Sequence, residues 1–386
     1  MHMGSQRQLQ LLRMAVAFSF LLLLANHLLP PKAFAATQLL FDYSAGFIRR
    51  GLTGEAIMRL LGPTITGREI VMSCAVITFT GLVGFYLFLR RGVVESRATL
   101  LILILALNSF AMASFTGSTG YLDALLLLAA VMALSSDAGT GAGLAARILL
   151  VMVSVLIHEN MLPYFALLVG FDLFLARQHQ TMPLIPASLP LAGGAVMVVL
   201  VVLNGQFSAD EAAAFAEYVQ GKAMFGVDNT SLEVLNRTVS DNLALMSDLH
   251  STRKYWAWII YDGVPLAAMA GWLFWVGGRM LDQDDGALPR LLLGLAILAP
   301  LSLNLIAFDV VRFGAASVIV GFLALAVILR HVPGAEARLS DTLTWPHFIV
   351  VLVLNVNIFT SDINDVVSHE TQFPWVLLSQ LKWLSY

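Results

Sequence analysis

The chain has 386 residues, of which 58% are hydrophobic and only 12% are charged. Soluble domains average about 25% charged residues, so this composition excludes an ordinary soluble globular protein. The net charge of −3 excludes a strongly basic nucleic-acid-binding face, and the single cysteine, Cys74, excludes an intramolecular disulfide and a cysteine-rich metal site.

Apolar runs recur along the chain, and a helix that crosses the hydrocarbon core needs about 20 such residues. The pattern predicts an all-α protein, a polytopic transmembrane helical bundle that forms a single domain over residues 1–386. We count about eleven spans. They cover residues 12–29, 70–89, 98–115, 121–135, 145–162, 163–176, 185–204, 256–277, 289–307, 314–330 and 346–360.

Arginines in the short loops predict the orientation, because positive charge favours the cytoplasmic side. The loops that contain Arg90 and Arg147 are assigned to the cytoplasm, which places the N-terminus inside and the C-terminus outside. We therefore predict a multi-pass protein of a bacterial inner (plasma) membrane. Arg7 before the first span and Ala33-Phe-Ala35 after it leave a cleavable signal peptide as an alternative.

Two long external loops are predicted, at about residues 30–69 and 205–255. Both contain signals for short helices at the membrane interface. A further interfacial segment is predicted at 361–386, where tryptophan and tyrosine favour the headgroup level. The signals in the two loops are the amphipathic stretch Glu55–Leu61 and the capping-box patterns Ser208/Glu211 and Thr230/Glu233.

Charged residues near the outer ends of the spans are candidate functional groups, because a charge inside a span costs about 2.5–3.5 kcal/mol on insertion scales. The first group lies in the first external loop, where Asp42 and Tyr43 precede Arg49, Arg50 and Glu55. A guanidinium suits phosphate oxygens, and a carboxylate can accept a proton. A surface Asp–Arg ion pair is the alternative interpretation.

Further candidate functional residues lie near the predicted outer ends of later spans. Each also has a structural interpretation: a charge favoured by a helix N-terminus, a buried core histidine, or an ion pair at spacing three. The residues are Tyr121 and Asp123, His158 and Glu159, Asp309 and Arg312, and, with lower specificity, His250 and Lys254 of the second external loop.

These features together resemble the GT-C class of integral-membrane glycosyltransferases. The resemblance depends on the acidic residue of the first external loop, the two long external loops and the charged outer span ends. It also depends on three short stretches: Asp42-Tyr with Arg-Arg-Gly-Leu52, Gly120-Tyr-Leu-Asp123 and Asp309-Val-Val-Arg312. It implies inverting transfer of a sugar from a polyprenyl-phosphate donor to a glycan, lipid or protein acceptor at the periplasmic face.

The resemblance also implies roles for the candidate residues. Asp42 would be the general base, Arg49, Arg50 and Arg312 would bind phosphate, and membrane lipids would surround the site, with no nucleic acid partner. We expect no cofactor, and a divalent metal is not favoured because the first loop lacks an Asp-x-Asp motif. The implied substrate-binding residues are Tyr43, Glu55, Tyr121, Asp123, His158, Glu159, Asp309, His250 and Lys254.

Two other classes of function remain open at this point. A transporter or flippase of lipid-linked sugars could use the same charges, although transporters often have repeated halves and midplane sites. Neither feature is visible in the sequence. A polysaccharide ligase or polymerase would also place arginine and histidine outside, and the identity of the reaction product would separate these activities.

Overall fold

The computed structural model describes residues 2–27, 30–91, 95–117, 119–137, 139–180, 184–281, 286–307 and 309–355. These residues form 19 α-helices and two short strands, so the architecture is all-α as predicted. The interfacial segment predicted at 361–386 lies outside the described residues.

The helices of the first half are α1 (His2–His27), α2 (Ala33–Gln38), α3 (Gly51–Leu61), α4 (Gly67–Arg90), α5 (Arg97–Leu107), α6 (Phe110–Gly117), α7 (Asp123–Ser135), α8 (Gly141–Ile157), α9 (Leu167–Gln180) and α10 (Leu184–Asn204). Those of the second half are α11 (Ala209–Lys222), α12 (Asn229–Glu233), α13 (Val239–His250), α14 (Arg253–Trp258), α15 (Val264–Met280), α16 (Leu288–Leu298), α17 (Val310–His331), α18 (Ala335–Thr342) and α19 (Trp345–Asn355). Strands β1 (Ile65–Thr66) and β2 (Ala223–Met224) complete the fold, with π-helical turns at Leu162–Ala166 and Ile259–Gly263 and a 3-10 helix at Ala299–Leu305.

Every predicted apolar span contains a helix, but the helices differ in length. Four described segments are long and apolar enough to cross a membrane: Gln6–Ala25 of α1, α4, Leu288–Leu305 and α17. A fifth crossing is reached if α10 and α11, which are bent by 97°, are taken together. Because the remaining apolar helices are shorter, these criteria give four or five spans, and the count of eleven stays a prediction.

Side chains that compete for backbone hydrogen bonds explain one of the interruptions. The span predicted at 98–115 is divided into α5 and α6 at Asn108. The Asn108 amide donates to the carbonyl of Ile104 at 2.8 Å and to the hydroxyl of Ser19 at 2.7 Å. Such local bonds offer the backbone an alternative to continued helix.

Helix α17 forms the centre of the bundle. Of its most apolar stretch, 94% is buried inside the protein, which is expected of a helix that is hydrophobic on all sides. It packs against α6, α9, α15 and α16. Its first residues therefore meet the ends of neighbouring helices that lie near the loops at 30–69 and 205–255, and its last residues meet their opposite ends.

Glycines allow α15 and α17 to approach closely. A Cβ atom at Gly314 would lie 2.6 Å from Leu266, and one at Gly321 would lie 2.7 Å from Leu273. The glycines of α17 and the leucines of α15 are each seven residues apart, so the same contact recurs after two helical turns. Small residues at helix interfaces are typical of packing in membranes.

The two loops that the sequence predicts to be external fold together into a layer that has its own hydrophobic core. We call it the outer layer: residues 30–69 and 205–255, with a core that includes Leu39, Phe41, Ile57, Phe207, Phe215, Val219 and Leu235. Parallel pairing of β1 with β2 joins the two loops. The amphipathic stretch predicted at Glu55–Leu61 is helical within α3. The loop helices thus bury apolar faces against one another, which periodicity within one loop does not reveal.

The caps of the outer-layer helices match the sequence in part. The Ser208/Glu211 capping box forms, with the Ser208 N–H donating to Glu211 at 2.8 Å. The predicted Thr230/Glu233 box is wrong, because Asp228 is the N-cap of α12 and accepts from the N–H of Thr230 at 2.8 Å. A capping box that the sequence analysis did not predict begins α13. The second helix predicted for this loop is therefore divided in two.

Replacement of Gly321 with leucine should lower stability by about 1–3 kcal/mol, the usual cost of overpacking a well-filled interface. Thermal unfolding in detergent, followed by tryptophan fluorescence, measures the change. Gly271→Leu on α15 is the matched control, because a Cβ there meets nothing within 4 Å. Equal melting temperatures for the two variants would show that the close approach of α15 and α17 is not required.

Candidate functional site

Arg312 holds together a group of charged residues that we call the charged cluster: Asp123, His158, Asp309 and Arg312. Its Nε and Nη2 donate to both carboxylate oxygens of Asp123, the second at 3.1 Å from Oδ1. Its Nη1 donates to Asp309 at 3.3 Å, and its guanidinium lies 4.8 Å from the ring of Tyr121. Carboxylates on two helix ends and an aromatic face therefore fix the orientation of the guanidinium.

The carboxylate partners of Arg312 are positioned by the starts of two helices. Asp309 is the N-cap of α17, and its side chain accepts from the N–H of Arg312 at 3.3 Å. Asp123 is the first residue of α7, where the positive end of the helix dipole favours a carboxylate. The side chain of Asp309 stays 34% exposed, whereas that of Asp123 is only 10% exposed.

His158 ends α8 and turns its ring toward Arg312. The N–H of Asn160 donates to His158 Nδ1 at 3.1 Å, which assigns the proton of a neutral imidazole to Nε2. Nε2 lies 3.4 Å from Arg312 Nη2. In this tautomer His158 Nε2 and Arg312 Nη2 both carry hydrogens. The two nitrogens can therefore donate together to an anionic oxygen, but not to each other.

Glu159 continues the charged cluster into the outer layer. Arg50 donates to both of its carboxylate oxygens, with Nε 3.2 Å from Oε2. Arg50 is the N-cap of α3 and has a left-handed backbone, with φ of 64°. A bulky residue pays about 1 kcal/mol or more for this conformation, so the ion pair with Glu159 holds a strained turn in place.

Two cavities border this chain of contacts. The first, about 20 Å³, adjoins Asp123 and Arg312 and is otherwise lined mainly by apolar side chains. The second, about 60 Å³, adjoins Glu159, and six of its nine lining residues are polar or charged, so we call it the polar cavity. His158 Nδ1 lies 3.4 Å from Glu159, so contacts through Arg312, His158 and Glu159 connect the two cavities.

Arg49 borders the polar cavity and is anchored by the second external loop. Its Nη2 donates to the carbonyls of Val234 and Arg237, the latter at 2.9 Å. Its Nε is buried and has no hydrogen-bond partner among the described residues. The polar cavity is lined by Arg49, Glu159, Val201, Val202, Gly205, Gln206, Arg237, Thr238 and Asn242.

Asp42 lies in a different group of residues, inside the outer layer. Its Oδ1 accepts from the N–H of Ser44 at 2.9 Å and from the Ser44 hydroxyl. Its Oδ2 accepts from the Tyr218 hydroxyl at 3.0 Å and pairs with Lys222. Burial raises the pKa of the Asp42 carboxyl, but the hydrogen bonds from Lys222 and Ser44 together lower it by more than burial raises it. The pKa therefore lies below its ordinary value.

The remaining predicted residues are spread over other places. Glu55 accepts from the N–H of Tyr43 at 3.3 Å and pairs with Arg59 at 2.7 Å. His250 is exposed and packs on the ring of Tyr255, with centroids 4.6 Å apart. The side chain of Lys254 lies outside the described residues.

Sequence reasoning missed two partners and one complete group. Lys222 and Tyr218 were not singled out as partners of Asp42. At the end of the bundle opposite the charged cluster, Asp172 pairs with Arg147 and lies 2.9 Å from His331. Arg147 was assigned to a cytoplasmic loop, but it lies in α8 and is fully buried. The signal was present, because Asp172 falls inside a predicted apolar span.

The described residues contain no group of three or more histidine, cysteine, aspartate or glutamate side chains that could hold a metal ion. Groups suited to an anion are present instead. Arg312 and His158 converge beside the apolar cavity, and Arg49 borders the polar one. These guanidinium and imidazole groups are the kind of donor from which a phosphate oxygen accepts hydrogen bonds.

The Asp42→Asn variant should be destabilised by about 3 kcal/mol at pH 7, because buried Lys222 would lose its anionic partner. Since the folded-state pKa of Asp42 lies below its ordinary value, this contribution is complete above the unfolded-state pKa. It is lost as pH falls through the folded-state pKa. The difference in melting temperature should stay constant from about pH 7 to 5 and shrink below about pH 4.

The exposed Glu217, in the middle of α11, provides the matched control as Glu217→Gln. It should melt like the wild type at every pH. A difference between Asp42→Asn and the wild type that already shrinks near pH 6 would show that Asp42 is not held ionised by Lys222.

Comparison with known families adds a classification. The family described as uncharacterised membrane protein Rv1490 matches residues 10–270, which is more than half of the chain. The matched part includes Asp42, Arg50, Asp123 and His158 but ends before Arg312. No curated protein and no solved structure matches the chain. With its long apolar helices, the chain is a membrane protein that belongs to the Rv1490 family of uncharacterised membrane proteins.

Proposed function

We propose that this protein is a glycosyltransferase that moves a sugar from a polyprenyl-phosphate donor to an acceptor at the periplasmic face of a bacterial inner membrane. One observation carries the proposal. The guanidinium of Arg312, fixed by Asp123 and facing His158 Nε2 at 3.4 Å, lies beside an apolar cavity at the outer ends of the helices.

The charged cluster suits the phosphate of the donor. Arg312 and the Nε2–H of His158 are both donors, and an oxygen placed to one side of the two nitrogens, within reach of both, would accept from both. As the bond between the anomeric carbon and the phosphate oxygen breaks, the electron pair stays on that oxygen. Donors that are already oriented stabilise this growing charge without reorganisation.

The apolar cavity supports a lipid-linked donor. Phe115, Phe165 and Ile319 line it together with Arg312. A Cβ at Gly81 of α4 would meet Ala124, and α4 begins 14 residues earlier. At 1.5 Å per residue, α4 therefore extends about 20 Å beyond Asp123. The charged cluster is recessed toward the membrane, where a lipid chain can reach it.

The cavity is much smaller than the 300–1,000 Å³ of ordinary ligand sites. Donor binding therefore requires that Phe115 or Phe165 moves aside. The polar cavity beside Arg49 and Glu159 is the place for the acceptor, because Gln206, Thr238 and Asn242 offer hydrogen bonds to hydroxyl groups.

Two carboxylates compete for the role of general base, which removes the proton of the acceptor hydroxyl as its oxygen attacks the anomeric carbon with inversion. Asp42, the base that the GT-C resemblance implies, would first have to lose Lys222. Asp309 is partly exposed, and among the described residues its side chain is held by Arg312 alone, with contacts of 3.3 Å. We assign the base to Asp309 and retain Asp42 as the alternative.

Replacement of Arg312 with glutamine should reduce sugar transfer by about 100-fold or more, the usual effect of removing an oriented donor to a developing anion. Transfer from synthetic polyprenyl-phosphate sugars in proteoliposomes would be followed by mass spectrometry of the product. Arg253→Gln, which alters an exposed arginine of the outer layer, should retain wild-type transfer. Movement of lipid-linked sugar across sealed vesicles without a covalent product would identify a flippase instead.

The two candidate bases are separated by a matched pair of variants, Asp309→Asn and Asp42→Asn. We expect Asp309→Asn to abolish transfer and Asp42→Asn to reduce it only in proportion to lost folded protein. Full activity in Asp309→Asn with none in correctly folded Asp42→Asn would return the role to Asp42.

The proposal also requires an N-terminus in the cytoplasm and the outer layer in the periplasm. In a Cys74→Ala background, Gly226→Cys should react in intact cells with a thiol reagent that does not cross membranes. Gly139→Cys, in the turn between α7 and α8, should react only after the cells are broken. Both glycines are exposed. The reverse labelling pattern would place the charged cluster in the cytoplasm.

A further inference from the structure

A cavity of about 160 Å³ lies at the opposite end of the bundle from the charged cluster. It is larger than either cavity at the candidate site. Helix α1, the last turns of α4 and the first turns of α5 enclose it. We call it the α1–α4 cavity.

The walls of the α1–α4 cavity change from apolar to charged along its length. Val16, Leu89 and Leu103 contribute to the apolar part, whereas Arg13 and Arg90 are at the charged end. An amphipathic molecule with a charged head and a hydrocarbon chain has the same division.

Charge at the rim is unbalanced. Glu95 pairs with Arg13, and its second oxygen lies 3.6 Å from Arg90. A single carboxylate is therefore the ion-pair partner of two guanidinium groups. Both arginine side chains remain more than half exposed, at 55% and 57%. A phosphodiester would supply the missing negative charge and the oxygens that a guanidinium prefers.

The cavity lies between α1 and α4, whose main packing partners are other helices. Helix α1 packs on α5, while α4 packs on α7. A ring contact between Phe20 and Tyr86, with centroids 5.1 Å apart, joins α1 to α4 about two turns deeper than Arg13. Ala17 is exposed although it lines the cavity. Phe18 next to it is 65% exposed, as expected of a lipid-facing helix.

We propose that the α1–α4 cavity is a binding site for an anionic phospholipid of the leaflet at that end of the bundle. Its phosphodiester contacts Arg13 and Arg90, and one acyl chain enters between Val16, Ala17 and Leu103. Positive residues near the cytoplasmic leaflet attract anionic lipids. The site is independent of sugar transfer, since it shares no residue with the charged cluster.

Lipid titration of the full-length protein, followed by native mass spectrometry, tests this proposal. Wild-type protein should bind phosphatidylglycerol about tenfold more tightly than phosphatidylcholine. The Arg13→Gln/Arg90→Gln variant should lose that preference. Arg7→Gln/Arg279→Gln is the matched control, because it removes the same charge from exposed arginines at the same end. If both double variants lost the preference for phosphatidylglycerol equally, the preference would come from the general positive charge at this end, and the proposed site would be wrong.

A second variant tests the acyl chain without changing charge. Ala17→Trp should fill the cavity and weaken phosphatidylglycerol binding at least fivefold. Ala17→Trp still tests the proposal if the double arginine variant does not fold. Glycerol phosphate, which has the anion but no acyl chain, should compete poorly with phosphatidylglycerol. Competition as strong as that of the lipid, or unchanged lipid binding in Ala17→Trp, would rule out a lipid site.

Discussion

Ionised side chains lose much of their hydration when a helical bundle buries them, and this cost governs where the chain keeps its charges. Breaking a buried pair by removing one partner costs about 3–5 kcal/mol. Arg312 with Asp123, Lys222 with Asp42, and Arg147 with Asp172 each place opposite charges in direct contact. The helices must keep the relative positions that maintain these pairs, so the ion pairs also restrict how the bundle assembles.

Helix α17 connects two of these pairs across the bundle. Arg312 lies in its first turn and His331 at its last residue, and the helix between them is almost completely buried. Close packing of Gly314 and Gly321 on α15 fixes its position. A shift of α17 along its axis would therefore disturb both ends together. This rigidity keeps Arg312 and His158 at a fixed separation.

The outer layer adds a second type of constraint. Its hydrophobic core extends to Cys74 and Leu122 of the bundle, and the ion pair of Arg50 with Glu159 adds a polar contact between the two. Arg49 instead joins the two loops of the outer layer, because it donates to the carbonyl of Val234. Adjacent arginines in the sequence thus have separate tasks: Arg50 reaches toward α8, while Arg49 borders the polar cavity. Arg50 adopts its left-handed backbone at the point where the two side chains take these separate directions.

The sequence by itself determined the all-α class, the position of the apolar helices, the Ser208/Glu211 cap and the choice of most charged residues now seen in the cluster. These features depend on local periodicity and on the cost of charge in apolar runs, both of which are properties of short segments. Only the tertiary structure decided that Asp123 pairs with Arg312, that Asp42 is held by Lys222, and that Arg147 is buried. Those partners are 189, 180 and 25 residues apart, and no local pattern specifies which distant helix ends will meet.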